Sequence, residues 1–389
     1  MPGVIKTQEW AVAGSASAGW HGSRLKRRSR FDQDWWVSHA RRQSGKSFTD
    51  QMREIRTLSS GAYRLQLDEY YQLGLYDPVR NADALSGKYV GRASWPSISL
   101  RFNKPKAIAA MPDRHDLLRL LARWNVPVPK TLAVFNRSDE SKLHDQIIDA
   151  QGLHRFLRSE EGSPSVGKPL TRKVRAGASL ITGYNADGDF ITLEGHKRVM
   201  ATTFLNAVQR GGYNGYLFEE FLRPHQGLAE HLGNRLVTVR MTILRSAKDA
   251  IVFRPVLKIP GIAVEGSSNR PEGDLVAGVN SKTGELLPAI RRNGPAHQSV
   301  LRHPETNAVI TDAEVPDWRD IVYMVKRGAG LFPELQIQRW DVAITDKGPV
   351  VLDVGANLDI HTAQKAWGRG LLDGPLGTVI SRVLHLNQK

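Results

Sequence analysis

Residues 336–359 read QIQRWDVAITDKGPVVLDVGANLD. Apolar residues alternate on either side of Asp346-Lys347-Gly348-Pro349, which predicts two strands, Gln336 to Ile344 and Val350 to Val354, joined as a hairpin. Each strand carries one carboxylate in an apolar setting: Asp341 directly after Trp340, and Asp353 after Val350, Val351 and Leu352. Asn357 follows four residues on. Paired strands lie ~4.8 Å apart, so the two carboxylates can face one another across the ladder. Unpaired charges are costly there. A hard cation such as Mg2+, shared between one or two carboxylates and substrate phosphates, removes the conflict. A turn-capping Asp and an Asp bonded to backbone would write the same letters.

The rest of the chain sets the bounds on that reading. At 389 residues, 41% hydrophobic and 24% charged, it is long enough for two or three packed domains of ordinary globular composition. It contains no cysteine, which excludes a disulfide framework, a Cys-based zinc site and thiol catalysis. No apolar run approaches the roughly 18 residues of a membrane helix, and the N-terminus lacks the apolar core of a signal peptide. The expected location is cytoplasmic.

A net charge of +15 points to an anionic partner. Part of the excess is local, since residues 21–60 hold ten Lys or Arg against four Asp or Glu, with Trp35 and Trp36 beside them. No nucleic-acid module accompanies this run, so no nucleic acid is expected as a partner. A solvated basic helix face accounts for it, as does a weak contact with a membrane surface.

Periodicity divides the chain into a mobile basic arm (1–30), a helical N-terminal domain (31–110) and a mixed remainder, with helices expected near 113–124, 139–150, 197–210, 317–332 and 371–386. Strands dominate between them, giving an α+β class. Three further signals lie in the mixed part. Lys168-Pro169 leaves a strand into a loop, a place from which a lysine can meet phosphates. Leu217-Phe218-Glu219-Glu220-Phe221-Leu222 is an apolar strand with an acidic pair, followed by Arg223, Pro224 and His225. A surface strand with two solvated glutamates would look the same. Arg240 and Arg254 are set into successive apolar strands, where an arginine needs an anionic partner. A salt bridge explains one such residue; two suggest a phosphate cradle.

In this order, the Lys-Pro loop, the Glu-Glu strand, Thr238-Val239-Arg240 and the Trp-Asp to Asp hairpin resemble the ATP-grasp superfamily. The likeness is to its sugar-transfer-associated branch, near the glutamate-ligase-related proteins. It runs from about Gln43 to Trp367 and includes Tyr70-Tyr71, Asn269, Asn280 to Gly284, Arg302-His303-Pro304-Glu305-Thr306 and Val315-Pro316-Asp317-Trp318.

The resemblance implies two α+β lobes sandwiching ATP, divided as 111–215 and 216–389, behind the helical region. It implies a Mg-ATP-dependent carboxylate-amine ligase that forms an amide through an acyl-phosphate, on an acidic sugar, amino acid or peptide with an amine acceptor. Arg114 and Lys168 would meet the phosphates, and Glu219, Glu220, Phe221 and His225 would hold adenine and ribose. Arg240 and Arg254 would act with Lys168 in catalysis, and Asp341, Asp353 and Asn357 would bind Mg2+. Asn269, Arg302 and His303 would line the substrate site, and His361 is a further candidate. His303 before a proline, and Asn269 in a Gly/Pro-rich loop, also suit plain turns. Where relatives show Glu-x-Asn, this chain has Asp353-Val354-Gly355. Its phosphate loop, 170–177, carries Arg172, Lys173 and Arg175 around a single glycine. A kinase on the same fold, or a noncatalytic ATP-binding protein, is the alternative.

Overall fold

The computed structural model describes residues 25–61, 63–136, 150–170, 179–210, 215–245, 249–261, 274–292 and 297–379. The arm before Leu25 and the loop 171–178 lie outside these residues, as do most of the helix expected at 139–150 and the part of the one at 371–386 that follows residue 379.

From Leu25 to Ala109 the described residues are mostly helical: α1 (Leu25–Ser44), α2 (Phe48–Ser60), α3 (Leu67–Gln72), α4 (Pro78–Leu85), α5 (Trp95–Phe102) and α6 (Pro105–Ala109). Ser47 opens α2 with a capping box to Asp50, satisfying two of the N–H groups a helix start leaves orphaned. Asp77-Pro78 begins a helix. The Asp77 side chain accepts from the N–H groups of Val79 and Arg80, and Pro78 stands at N1, where its missing N–H and fixed φ cost nothing. Ile55, Leu58, Tyr70, Tyr71 and Tyr89 form the core of this region.

Helix α7 (Arg114–Arg123) leads into the first sheet. That sheet has β1 (Thr131–Asn136), β2 (Ser165–Pro169), β3 (Ser179–Asn185), β4 (Phe190–Leu193), β5 (Lys197–Met200) and β6 (Gly215–Glu220), with α8 (Ala150–Arg158) and α9 (Ala201–Arg210) between them in sequence. The spatial order is β1-β6-β2-β3-β4-β5, every pair antiparallel. Residues 197–200, expected to begin a helix, pair with β4 instead. The helix starts only at Ala201, where Ala201, Phe204, Leu205 and Val208 present one apolar face to the sheet. Because β6 lies between β1 and β2, the sheet ends after Glu220 rather than at the expected boundary, 215/216.

Residues 221–225 cross to the second sheet through α10 (Gln226–Leu232). This sheet holds β7 (Thr238–Arg245), β8 (Ala250–Ile259), β9 (Leu275–Gly278), β10 (Ala289–Arg291), β11 (Ser299–Val300), β12 (Ile337–Thr345) and β13 (Gly348–Gly355), with α11 (Trp318–Ala329) before β12 and α12 (Ile360–Trp367) after β13. Its order is β11-β10-β9-β8-β7-β12-β13. Strand alternation decides what each face carries. Val239, Met241 and Ile243 of β7 and Trp340, Val342 and Ile344 of β12 point into a core with Ile321, Val325 and Ala329 of α11 and with Leu228 and Leu232 of α10. The intervening residues, Arg240, Thr242, Arg339 and Asp341, take the other face.

One end of that other face is covered by the N-terminal region, where Trp95, Ile98 and Phe102 pack with Leu244, Phe253 and Ile337. Asn103 secures the contact. Its amide donates to the carbonyls of Ile337 (2.6 Å) and Ala356 (3.2 Å) and accepts from the Ile337 N–H (3.1 Å). Between the sheets, α7 gives Leu117 and Leu121 to the second core and Leu118 to a cluster with Val134, Leu170 and Leu217 of the first.

Candidate functional site

The expected hairpin forms, and a β-bulge sets its chemistry. From the two-residue turn the register runs Thr345↔Gly348 to Val342↔Val351, which alone would place Leu352 opposite Asp341. An extra residue at Leu352 shifts the pairing so that Asp353 faces Asp341, the re-aiming that bulges provide. Asp341 is also the register partner of Arg240. Arg240, Asp341 and Asp353 therefore stand in one row across three strands.

Within the row the charges are engaged. Arg240 grips Asp341 with both prongs, Nε to Oδ1 at 2.8 Å and Nη2 to Oδ2 at 2.9 Å, the strongest form of the pair. Lys258 Nζ donates to Asp341 Oδ1 at 3.2 Å, and Arg339 pairs with Asp353. Burial would raise the Asp341 carboxyl, but Lys258 and Arg240 hold it well below the usual carboxylate range. Burial lowers Lys258 to about 8 against the pull of Asp341. Asp359, the N-cap of α12, bonds the Thr362 N–H and hydroxyl (3.2 and 2.8 Å) and lies 3.5 Å from Arg240 and 3.9 Å from Arg292.

On the first sheet, Lys168 stands opposite Leu217 and Glu219 opposite Val166. The two are diagonal neighbours on one face, and they form an ion pair. Glu219 is 1% exposed, and its Oε1 is buried without a partner among the described residues. Glu220 is turned elsewhere, accepting from the Lys130 N–H at 2.8 Å. Phe221 is exposed. His225 starts α10, its N–H bonded to the Ile344 carbonyl at 3.2 Å and its Nδ1 buried without a partner among the described residues. Arg114 begins α7 with its backbone N–H on the Leu170 carbonyl at 3.3 Å, at the mouth of the expected phosphate loop.

Other expected residues have their polar groups engaged elsewhere, although Arg254 lines one cavity with Arg240, Thr242 and Asp359. The Arg254 guanidinium donates to the carbonyls of Arg369, Gly370 and Asp373 at 3.0, 2.6 and 2.6 Å. It latches the segment after α12, because a second bulge places Arg254 and Pro255 together opposite Met241 and holds Arg254 at φ 42°. His303 is buried, and its Nδ1 faces the N–H groups of Glu305 and Thr306 at 3.4 Å; Arg302 binds the Asn307 carbonyl at 2.9 Å. Their loop is tied to the end of α10 through Thr306 Oγ1 and the His231 carbonyl, and α10 packs on the sheet face opposite the carboxylates. Both residues build a turn there. Asn357 is exposed next to the hairpin. His361 is lowered to about 4 by burial, then by Arg92 and Lys365, and its Nδ1 is 3.9 Å from Glu69. Asn269 and the loop residues Arg172, Lys173 and Arg175 lie outside the described residues.

Lys258, Arg292, Arg339 and Asp359 belong to the site although sequence reasoning did not select them. The signal was available for Arg339 and Lys258: alternation puts Arg339 on the face of Asp341, and Lys258 sits in an apolar strand. Asp359 and Arg292 reach the cluster only through the tertiary placement of α12 and the end of β10.

Asp341 and Asp353 are the residues of the row that could contribute to a hard divalent cation's shell. The two carboxylates supply oxygen donors from adjacent strands, with side chains 13% and 15% exposed. Among the described residues no three acidic or histidine side chains gather to hold a metal alone. Two carboxylates fill part of an octahedral shell and leave the remainder to water and phosphate oxygens.

No curated protein matches the chain. Among solved structures it is similar to N5-carboxyaminoimidazole synthetase from Staphylococcus aureus, with 10% identity, 63% of this chain and 44% of that one covered, and a TM-score of 0.33. It is similar to D-alanyl-alanine synthetase A from Vibrio cholerae (10% identity, 65% and 58% covered, TM-score 0.38) and to an L-amino acid ligase from Bacillus licheniformis (12%, 66% and 46%, 0.37). The chain spans about half the length of these proteins, and at such scores they bear on no residue's role. The sequence pattern of sugar-transfer-associated ATP-grasp proteins matches residues 97–376, from α5 through both sheets to the segment latched by Arg254. The chain belongs to the sugar-transfer-associated ATP-grasp family.

Proposed function

We propose that this protein is a Mg-ATP-dependent carboxylate-amine ligase acting on an acidic sugar, amino acid or peptide. The observation that carries the reading is the row Arg240, Asp341, Asp353, on a sheet joined through α10 to a second sheet bearing Lys168 and Glu219. Supporting it are the family assignment and the concentration of cations where a transferring phosphoryl group would need them.

In this reading Lys168 and Arg114 bind ATP phosphates at the end of β2, and the free Oε1 of Glu219 accepts from the nucleoside. Asp341 and Asp353 would hold Mg2+, which when bound neutralises phosphate charge and orients the γ-phosphoryl group. Arg240, fixed by its fork on Asp341, presents its remaining edge to anionic oxygen. The substrate carboxylate takes the γ-phosphoryl group, releasing ADP. An amine then attacks the acyl carbon, the C–N bond forms, the C–O bond to phosphate breaks, and the amine proton passes to solvent. The protein positions and neutralises, and no side-chain nucleophile is needed.

The test is ADP release from Mg-ATP across a panel of carboxylate and amine pairs, with the product identified by mass, and 18O transfer from labelled carboxylate into phosphate. An amide with transferred label supports the ligase. A stable phosphorylated acceptor makes the protein a kinase, and nucleotide binding without turnover on any pair removes the catalytic reading.

A further inference from the structure

Arg339 is held differently from Arg240. Its register partner on β13 is Gly355, so no side chain stands across that ladder from it, while Thr242 faces it from β7. The guanidinium folds along the strand onto Asp353, two residues back on the partner strand, through Nη2. Its Nε lies 3.8 Å from Asp341 Oδ2 and is buried with no hydrogen-bond partner among the described residues. Arg240 on Asp341 is a two-pronged fork; Arg339 on Asp353 is a single prong, and the weaker grip. With Asp359 beside Arg240, three carboxylates face Arg240, Lys258 and Arg339, so the cluster has no surplus negative charge to offer a dication. A dication approaching Asp353 gains little there unless it brings phosphates with it or Arg339 leaves.

We infer that Arg339 stands in the metal's place on Asp353 in the nucleotide-free chain, and that metal and guanidinium compete for this carboxylate. The inference rests on the reading of Asp341 and Asp353 as metal ligands given above. Binding of metal is then coupled to nucleotide: phosphates supply the missing negative charge, metal takes Asp353, and Arg339 is released toward the anion. Coupling is reciprocal, so metal raises nucleotide affinity by the factor by which nucleotide raises metal affinity.

The experiment follows free Mn2+ by electron paramagnetic resonance during titration of the full-length protein, with and without ADP, so no turnover is needed. Wild type is expected to bind Mn2+ weakly alone and tightly with ADP. Arg339→Met is expected to bind Mn2+ without nucleotide about tenfold tighter than wild type, a coupling in the usual range, and to lose most of the ADP dependence. Adding Asp353→Asn should abolish that gain. Equal nucleotide-free affinity in Arg339→Met and wild type, with ADP-dependent binding intact in wild type, overturns the inference and leaves the ligase reading standing. Failure of wild type to take up Mn2+ with ADP overturns both. If Arg339→Met does not fold, Arg339→Lys decides, because it keeps the charge but not the reach of the fork. An affinity no higher than wild type in the lysine variant overturns the competition.

Discussion

Gln364 of α12 pairs with the backbone of Val90, 274 residues earlier, as one strand pairs with another. The Val90 N–H donates to Oε1 at 2.9 Å, and Nε2 donates to the Val90 carbonyl at 2.9 Å. The same Oε1 accepts from the Leu371 N–H at 3.0 Å. With Asn103 on Ile337 and Ala356, this makes the N-terminal helices part of the body that carries Asp359, not an appended module. Gln364→Ala orphans three buried backbone groups and is expected to destabilise by about 2–4 kcal/mol, read as a lower denaturant midpoint at unchanged m. A change under about 0.5 kcal/mol would show that water replaces the amide without loss.

On the proposed reading Lys168 serves two ends, its ion pair with Glu219 and the ATP phosphates, which predicts a split outcome. Lys168→Met should weaken ATP binding about tenfold or more, the worth of one charge-assisted contact. It should also cost about 3 kcal/mol of stability, because Glu219 is left charged in a buried setting. Lys168→Met with Glu219→Gln should recover most of the stability and none of the affinity. Calorimetry and thermal unfolding on the same samples separate the two effects.

His297 introduces a pH dependence. Burial, then Arg80 and Lys365, hold it down to about 3, and its Nε2 faces Arg80 Nη2 at 3.1 Å. The folded state keeps it neutral while the unfolded chain takes up a proton near pH 6.5. Its stabilisation is therefore complete above pH 6.5 and is lost as pH falls toward 3, at up to about 1.4 kcal/mol per pH unit. His297→Gln, which can still accept from Arg80, should flatten the stability curve across that window. An unchanged slope would assign the acid sensitivity to other groups.

Gly328 lies beneath the indole of Trp340: a Cβ there would stand 2.5 Å from Cη2, and Trp340 is fully buried. Gly328→Ala should destabilise by about 1–3 kcal/mol through overpacking, despite the better helix propensity of alanine in α11. The sign of the shift in Tm is the check.

What the letters disclosed follows from which forces are local. Alternation and a Gly/Pro turn were enough to find the hairpin and to place Asp341 and Asp353 on facing strands, because period and turn chemistry act over a few residues. The bulge at Leu352 that aligns the two carboxylates had no such signature. An arginine in an apolar strand announces only that it needs anionic or carbonyl partners; the carbonyls that Arg254 finds, at 369–373, come from a segment more than a hundred residues away. At 197–200, pairing with β4 overrode helix periodicity.

Asn103 waits for partners made 234 and 253 residues later. On a ribosome adding roughly 5–20 residues per second, the apolar side of α5, with Trp95, Ile98 and Phe102, is synthesised roughly ten to fifty seconds before Ile337, Leu358 and Ile360 arrive to cover it. During that interval the nascent chain shows a sticky surface that the finished protein hides, so the yield of native protein in a cell should depend on chaperones that shield this helix until translation ends.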